Sequence, residues 1–266
     1  MSKEIQKIES NKKSKIDLLN INTSALSASL GDLVIPRLFY QLVIFIIDGS
    51  NSMNDDSKNG ISKAEDIDKG IKSIIKRLNK SKNSGSFDIC YLTFSDEFVE
   101  VFSPKSVKSI NHNQSFNPLN FIEPKGTKLC KGLKHAKNII NKYNEKYKNK
   151  NCQVLLQILS DGAIQDYEAS LEVVNELKNI DNTTISCQFL ESHIEDGQKW
   201  FSCNETTGEV NYDEPWTIGK VRRYEERIAN RFKKFASNSD LFVTSIDPEE
   251  IRKHMIKSIS TVSKID

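Results

Sequence analysis

Three oxygen-bearing side chains, Asp48, Ser50 and Ser52, alternate directly after the apolar run Leu42-Val43-Ile44-Phe45-Ile46-Ile47. Two more oxygen clusters follow downstream. Lys125-Gly126-Thr127-Lys128 precedes a helical pattern, and the apolar run Val154-Leu155-Leu156-Gln157-Ile158-Leu159 ends at Ser160-Asp161-Gly162. Carboxylates and hydroxyls without sulfur or imidazole suit a hard cation such as Mg²⁺, which takes few carboxylates and keeps some of its waters. Turn and cap preferences are the competing explanation, since Ser, Asn and Asp favour both. Three such loops, each at a strand exit or a helix start, are hard to attribute to turns alone.

The elements that must position these loops can be read from periodicity. An unbroken apolar run bounded by polar loops predicts a strand buried on both faces, as in a parallel sheet. Ligands collect at the carboxyl ends of such strands, which is where Asp48 and Asp161 stand. Ile67, Ile71, Ile74, Ile75 and Leu78 predict a helix from about Lys63 to Lys80. Strands are expected over Phe87 to Phe94 and Phe98 to Phe102, joined by a hairpin at Ser95-Asp96-Glu97. Leu129, Leu133, Ala136, Ile140 and Tyr143 predict a helix running to about Tyr147, and Leu171, Val174, Leu177 and Ile180 another. Further strands are expected at Thr184–Leu190 and Leu241–Thr244, and Asp247-Pro248-Glu249-Glu250 opens a last helix. Strands alternating with helices, apart from one hairpin, predict an α/β domain with a doubly wound, mostly parallel sheet and helices on both faces.

The three oxygen clusters, taken in order, resemble the von Willebrand factor type A domain and its metal-ion-dependent adhesion site. That family's pattern is Asp-x-Ser-x-Ser, a distant Thr, and an Asp after a later strand; here the matching positions are Asp48, Ser50, Ser52, Thr127 and Asp161. The resemblance spans roughly residues 40 to 260 and implies a bound Mg²⁺, or Mn²⁺ or Ca²⁺ in its place. It also implies a protein partner whose Asp or Glu completes the metal shell. Among stand-alone cytosolic members the resemblance points to adaptors beside an ATPase, kinase or phosphatase, including tellurite-resistance-associated, stress and antiviral defence systems. One departure is Asn51, where relatives very often carry Gly; Asn is the next most tolerant residue for a left-handed backbone.

Composition narrows the alternatives. The 266 residues suit one large domain with appendages, and a net charge of +2 gives no basic footprint for nucleic acid. Five cysteines, at 90, 130, 152, 187 and 203, form no Cys-x-x-Cys pair and are odd in number. Neither zinc nor a disulfide framework is indicated, and a reducing, cytoplasmic compartment is expected. The amino terminus has no apolar core of a leader, and no segment approaches membrane-spanning length. No Walker loop, His-Glu-x-x-His or nucleophile elbow occurs. His112, His135, His193 and His254 have no local partner pattern, with His135 and His254 expected at helix surfaces. An aspartyl phosphatase wants a second acid where Ser50 stands. A metal-dependent phosphoester hydrolase and a scaffold with a vacant site remain alternatives to a binding module.

Two segments stand apart. Residues 1–38 read as a polar N-terminal arm before a domain over 39–266. Residues 191–220 form a long insertion holding both tryptophans, Trp200 and Trp216, and its stretch 191–217 has seven acids against one lysine. Phe201–Asn204 and Glu209–Tyr212 predict a hairpin around Glu205-Thr206-Thr207-Gly208. Its aromatics suit either a partner surface or packing on their own domain, and its acidity raises the idea of an internal acid closing the metal position. Asp55 and Asp56 read as a solvated turn behind the motif.

Overall fold

The strand β1 (Tyr40–Asp48) is buried from Gln41 onward, as its apolar run predicts. It sits mid-sheet between β2 (Phe87–Phe94) and β4 (Cys152–Ser160), parallel to both. Beyond β2 lies β3 (Phe98–Ser106), antiparallel and partly solvated. Beyond β4 lie β5 (Thr183–Leu190) and the short β8 (Phe242–Ser245), both parallel. The order is therefore β3-β2-β1-β4-β5-β8. These relations come from a computed structural model that describes residues 39–195, 197–204 and 209–262. The arm at 1–38 and the turn Glu205–Gly208 lie outside the described residues.

Alternation along β1 divides the core in two. Leu42, Ile44 and Ile46 face one layer, with Leu133, Ala136 and Ile140 of α2 (Cys130–Lys146), Val174 and Leu177 of α3 (Tyr167–Lys178), and Ile228 and Phe232 of α4 (Ile218–Lys233). Val43, Phe45 and Ile47 face the other, with Ile67, Ile71 and Ile74 of α1 (Lys63–Lys80) and Ile251, Met255 and Ile259 of α5 (Pro248–Val262). A strand covered on both faces has no polar side, which is why it reads as continuous apolar sequence. The expected doubly wound α/β fold is what is found, with the single antiparallel strand at one edge.

Some elements differ from the sequence reading. Strand β3 runs on to Ser106 and helix α3 stops at Lys178, leaving Ile180 in the following turn. Helix α4 is not among the elements expected from sequence; it begins at Ile218 under a Thr217 cap whose hydroxyl accepts from Lys220 N–H. Because α4 buries only Val221, Glu225, Ile228, Ala229 and Phe232, its apolar stripe is thin. The hairpin is present as β6 (Trp200–Cys203) and β7 (Val210–Trp216), an antiparallel pair separate from the main sheet.

The sheet order reverses at β1, which has β2 on one side and β4 on the other. Chain connections leave the carboxyl ends of β1 and β4 in opposite directions there, opening the crevice in which doubly wound sheets hold ligands.

Candidate metal centre

All five oxygen-bearing residues expected from sequence line or floor that crevice. Asp48 ends β1, fully buried, and its Oδ1 accepts the Ser50 backbone N–H at 2.8 Å. Its Oδ2 accepts the Ser160 hydroxyl at 2.5 Å. The bend between them requires glycine at 49, because a Cβ there would lie 2.6 Å from Ile122 Cγ2 and 3.0 Å from Thr93 Oγ1. Ser50 then starts a single 3₁₀ turn, Asn51–Asn54, that brings Ser52 back over the strand end. The Ser50 and Ser52 hydroxyls stand 3.2 Å apart, and Ser52 donates to Asp161 Oδ1 at 2.7 Å. Asn51 needs no left-handed backbone: Asn149 is the one non-glycine residue with positive φ among the described residues. The departure at 51 therefore costs the loop nothing in backbone strain.

Thr127 is held from outside its own loop. Its N–H donates to the Gln165 side chain at 3.1 Å, and Gln165 N–H returns to the Thr127 carbonyl at 2.9 Å. Asp166 accepts the N–H groups of Leu129 and Cys130, which are free donors at the start of α2. A Cβ at Gly162 would touch Thr127 Oγ1 at 3.5 Å and Ser52 Oγ at 3.8 Å, so these two hydroxyls flank that glycine.

The centre is short of positive charge. Burial, and then the negative charge of Asp161, push the Asp48 carboxyl up from 3.8 to about 7, against hydrogen bonds from Ser160 and Ser50 that pull it down. Lys63 supplies one cation: its Nζ donates to Asp161 Oδ2 at 2.6 Å, and both side chains are shut off from solvent. Burial alone would lower the Lys63 pKa, but the Asp161 charge outweighs it and the ammonium is held above its ordinary range. Asp55, at the rim, has its carboxyl raised by partial loss of solvent, opposed by Lys63 and reinforced by Asp161 and Asp56.

Two carboxylates and three hydroxyls, close together and under-neutralised, fit a hard divalent cation that retains waters. Among the described residues no group of three or more His, Cys, Asp and Glu gathers to offer a softer site. Asp48, Ser50, Ser52, Thr127 and Asp161 are the residues that would hold the ion.

Lys63, Ser160, Gln165 and Asp166 were not legible as site residues. Lys63 carried one signal. It is the first residue of α1, where the helix dipole disfavours a cation, and it follows the Ser62/Glu65 capping box that already closes that end. A basic residue placed there has a partner elsewhere. Asp55, expected in a solvated turn, is exposed and also lines the crevice.

The insertion forms the other wall. A cavity of about 450 Å³ runs from Ser50, Ser52, Thr127 and Asp161 to Trp200, Phe201, Val210, Trp216 and Tyr224. Trp216 also packs edge-on against Tyr224 of α4, with ring centroids 5.2 Å apart, so it anchors the hairpin to its own domain. The idea of an internal acid closing the metal position gains nothing: none of the insertion's described acids lines this cavity. Glu191 instead accepts the Thr244 hydroxyl, and Asp196 and Glu205 lie outside the described residues. Cys90, Cys130, Cys152 and Cys187 are free and buried. No helix of the described residues is long and apolar enough to cross a membrane.

Solved structures with the same fold include the pilus adhesin SpaC from Lactobacillus rhamnosus GG, at 10% identity and a TM-score of 0.62. That match covers 85% of this chain but 31% of SpaC. The conserved hypothetical protein BatB from Bacteroides thetaiotaomicron matches at 14% identity and a TM-score of 0.52, over 84% of this chain and 99% of BatB. The PilB minor pilin from Streptococcus sanguinis matches at 12% identity and a TM-score of 0.54, over 88% of this chain and 65% of PilB. At these identities the likeness is one of fold. No curated protein matches the sequence. The von Willebrand factor type A domain family matches residues 43–217. With more than half of the chain matched, this protein belongs to the von Willebrand factor type A domain family.

Proposed function

We propose that the chain is a metal-dependent protein-interaction module in which a divalent cation, Mg²⁺ or Mn²⁺ under cellular conditions, is held by Asp48, Ser50, Ser52, Thr127 and Asp161. A partner's Asp or Glu completes the shell. The observation that carries this reading is the pair of buried carboxylates, Asp48 and Asp161, converging at one strand-end crevice with three hydroxyls and only one ammonium to neutralise them. Hydroxyl ligands add no charge, so the bound cation stays under-neutralised and attracts an outside carboxylate in a partly desolvated crevice. Binding rather than turnover is favoured because none of the four histidines lines the cavity, and Asp48, the one carboxylate at a nucleophile's position, is fully buried behind Ser50 and Ser160.

The buried free thiols are consistent with a reducing compartment, and we place the module in a cytosolic complex as an adaptor or regulator, in stress response or defence. The proposed partner is a protein, with an ATPase, kinase or phosphatase as the class to screen first.

The test is thermal unfolding of the wild type and Asp48→Ala in EDTA, Mg²⁺ and Mn²⁺. Binding to the native state stabilises it by ~2.7 kcal/mol at a hundredfold excess over Kd. Wild type should gain that increment and Asp48→Ala should not. Equal behaviour of the two proteins would exclude the reading.

A further inference from the structure

The cavity has two chemically different ends, and only one is accounted for by a metal. At its floor are the hydroxyls and Asp161. Its opposite wall is the hairpin, with Trp200, Phe201, Val210 and Trp216, backed by Tyr224 of α4. At about 450 Å³ it falls within the range of small-ligand pockets. It accommodates a few side chains and no folded element.

A second observation points the same way. The large apolar side chains most exposed among the described residues are Val210 at 42%, Tyr212 at 72% and Ile218 at 51%. Val210 lines this cavity, Tyr212 lies two residues on in β7 with its ring against Phe201, which also lines it, and Ile218 opens α4 two residues after Trp216. Scattered exposed apolar residues need no explanation, but a cluster confined to one rim marks an interaction surface. Exposed aromatics on a hairpin are favoured anchors because they bury large area at small entropic cost. Among the described residues the aromatic contact of Tyr212 is with Phe201 of the same hairpin, at 5.2 Å, and not with the core.

Charge fixes the orientation of whatever enters. Asp161 at the floor and Asp55 at the rim outnumber Lys63, and Lys125 on the lining is paired with Glu123 at 2.8 Å, so without a cation this end repels acids. With a divalent ion it attracts them. Glu225, which also lines the cavity, is already engaged by the Ser192 N–H at 2.7 Å and by Arg222 at 2.8 Å. It adds little free negative charge to the wall.

We propose that this cavity is a two-part recognition site for a protein segment that presents Asp or Glu beside a large apolar or aromatic residue. The acid binds at the metal and its neighbour lies against Val210, Phe201 and the tryptophans of the hairpin. The proposal rests on the metal-binding reading above and extends it by naming what the partner must carry next to its acid.

The experiment uses the full chain and fluorescently labelled peptides of one Gly/Ser background, carrying Asp-Phe, Asp-Gly or Asn-Phe at the centre. Binding is followed by anisotropy in Mn²⁺ and in EDTA, alongside a Mn²⁺ titration of each protein. Asp-Phe is expected to bind in Mn²⁺ and not in EDTA, with Asp-Gly weaker by about tenfold or more, the worth of one buried large side chain. Asn-Phe should not bind. Val210→Ser, an uncharged change at a half-exposed position, should weaken Asp-Phe toward the level of Asp-Gly while leaving Mn²⁺ affinity unchanged. Equal binding of Asp-Phe and Asp-Gly, or no effect of Val210→Ser, would overturn the proposal. So would a chain that binds Mn²⁺ but none of the peptides, and that outcome would leave the metal reading standing. If the chain takes up no Mn²⁺, the metal reading fails first and the two-part site falls with it.

Discussion

Lys63 Nζ stands 2.6 Å from Asp161 Oδ2, with 1% and 0% of the two side chains exposed. The first residue of α1 thus reaches the same carboxylate whose other oxygen accepts from Ser52. This buried pair neutralises one of the two converging acids within the fold. It also leaves the centre with too little positive charge once Asp48 is ionised.

Removing one partner of a buried ion pair strands the other, at a typical cost of about 3–5 kcal/mol. Lys63→Met should therefore lose about that much stability in EDTA, measured by urea unfolding. Saturating Mg²⁺ should return part of the loss, because the ion supplies charge beside Asp161. An equal loss with and without Mg²⁺ would place Lys63 outside the electrostatics of the centre.

The Asp48 carboxyl has a definite pH signature. Its folded pKa of about 7 lies above the ordinary 3.8, so the native state binds more protons than the unfolded state between those values. The stability contributed by the protonated form is fully present below about 3.8 and is lost as pH rises through about 7. In EDTA, Asp48→Asn should lack this loss and be more stable than wild type at pH 8. In saturating Mg²⁺ the order should invert, since the ion favours the anion. Parallel pH profiles of the two proteins in EDTA would contradict the assignment.

Gly49 and Asp166 are predicted to matter by holding the loops in place, the one through space and the other through hydrogen bonds. Gly49→Ala would drive a methyl to 2.6 Å from Ile122 Cγ2, and overpacking of this kind typically costs about 1–3 kcal/mol. Asp166→Ala leaves the Leu129 and Cys130 N–H groups without their acceptor, again at about 1–3 kcal/mol. Both variants should weaken Mn²⁺ binding although neither residue belongs to the proposed ligand set. Denaturant unfolding and Mn²⁺ titration would check this, and unchanged Mn²⁺ affinity in both would mean that the loops are not held by these contacts.

How much of this was legible in the sequence follows from where the information lies. Continuous apolar runs announced β1 and β4 because both faces of those strands are covered, and the oxygen clusters at their ends were visible for the same reason. Helix α4 was nearly invisible, since only five of its residues are buried, one of them Glu225. Lys63 could not be paired with Asp161 from spacing, because 98 residues separate them and only the parallel register of β1 and β4 brings them together. The hairpin was expected from its turn residues and aromatics. Its place as one wall of the strand-end crevice was not, because that depends on Trp216 seating against Tyr224.

The central claim is that these five side chains bind one divalent ion. The most direct test is a titration of the metal-free chain with Mn²⁺, counting bound ions by the loss of the free-ion electron paramagnetic resonance signal. The account predicts one Mn²⁺ per chain in the wild type, displaced by excess Mg²⁺, and none in Ser50→Ala/Ser52→Ala, whose fold is checked by circular dichroism. Full Mn²⁺ binding in that variant, or none in the wild type, would contradict it.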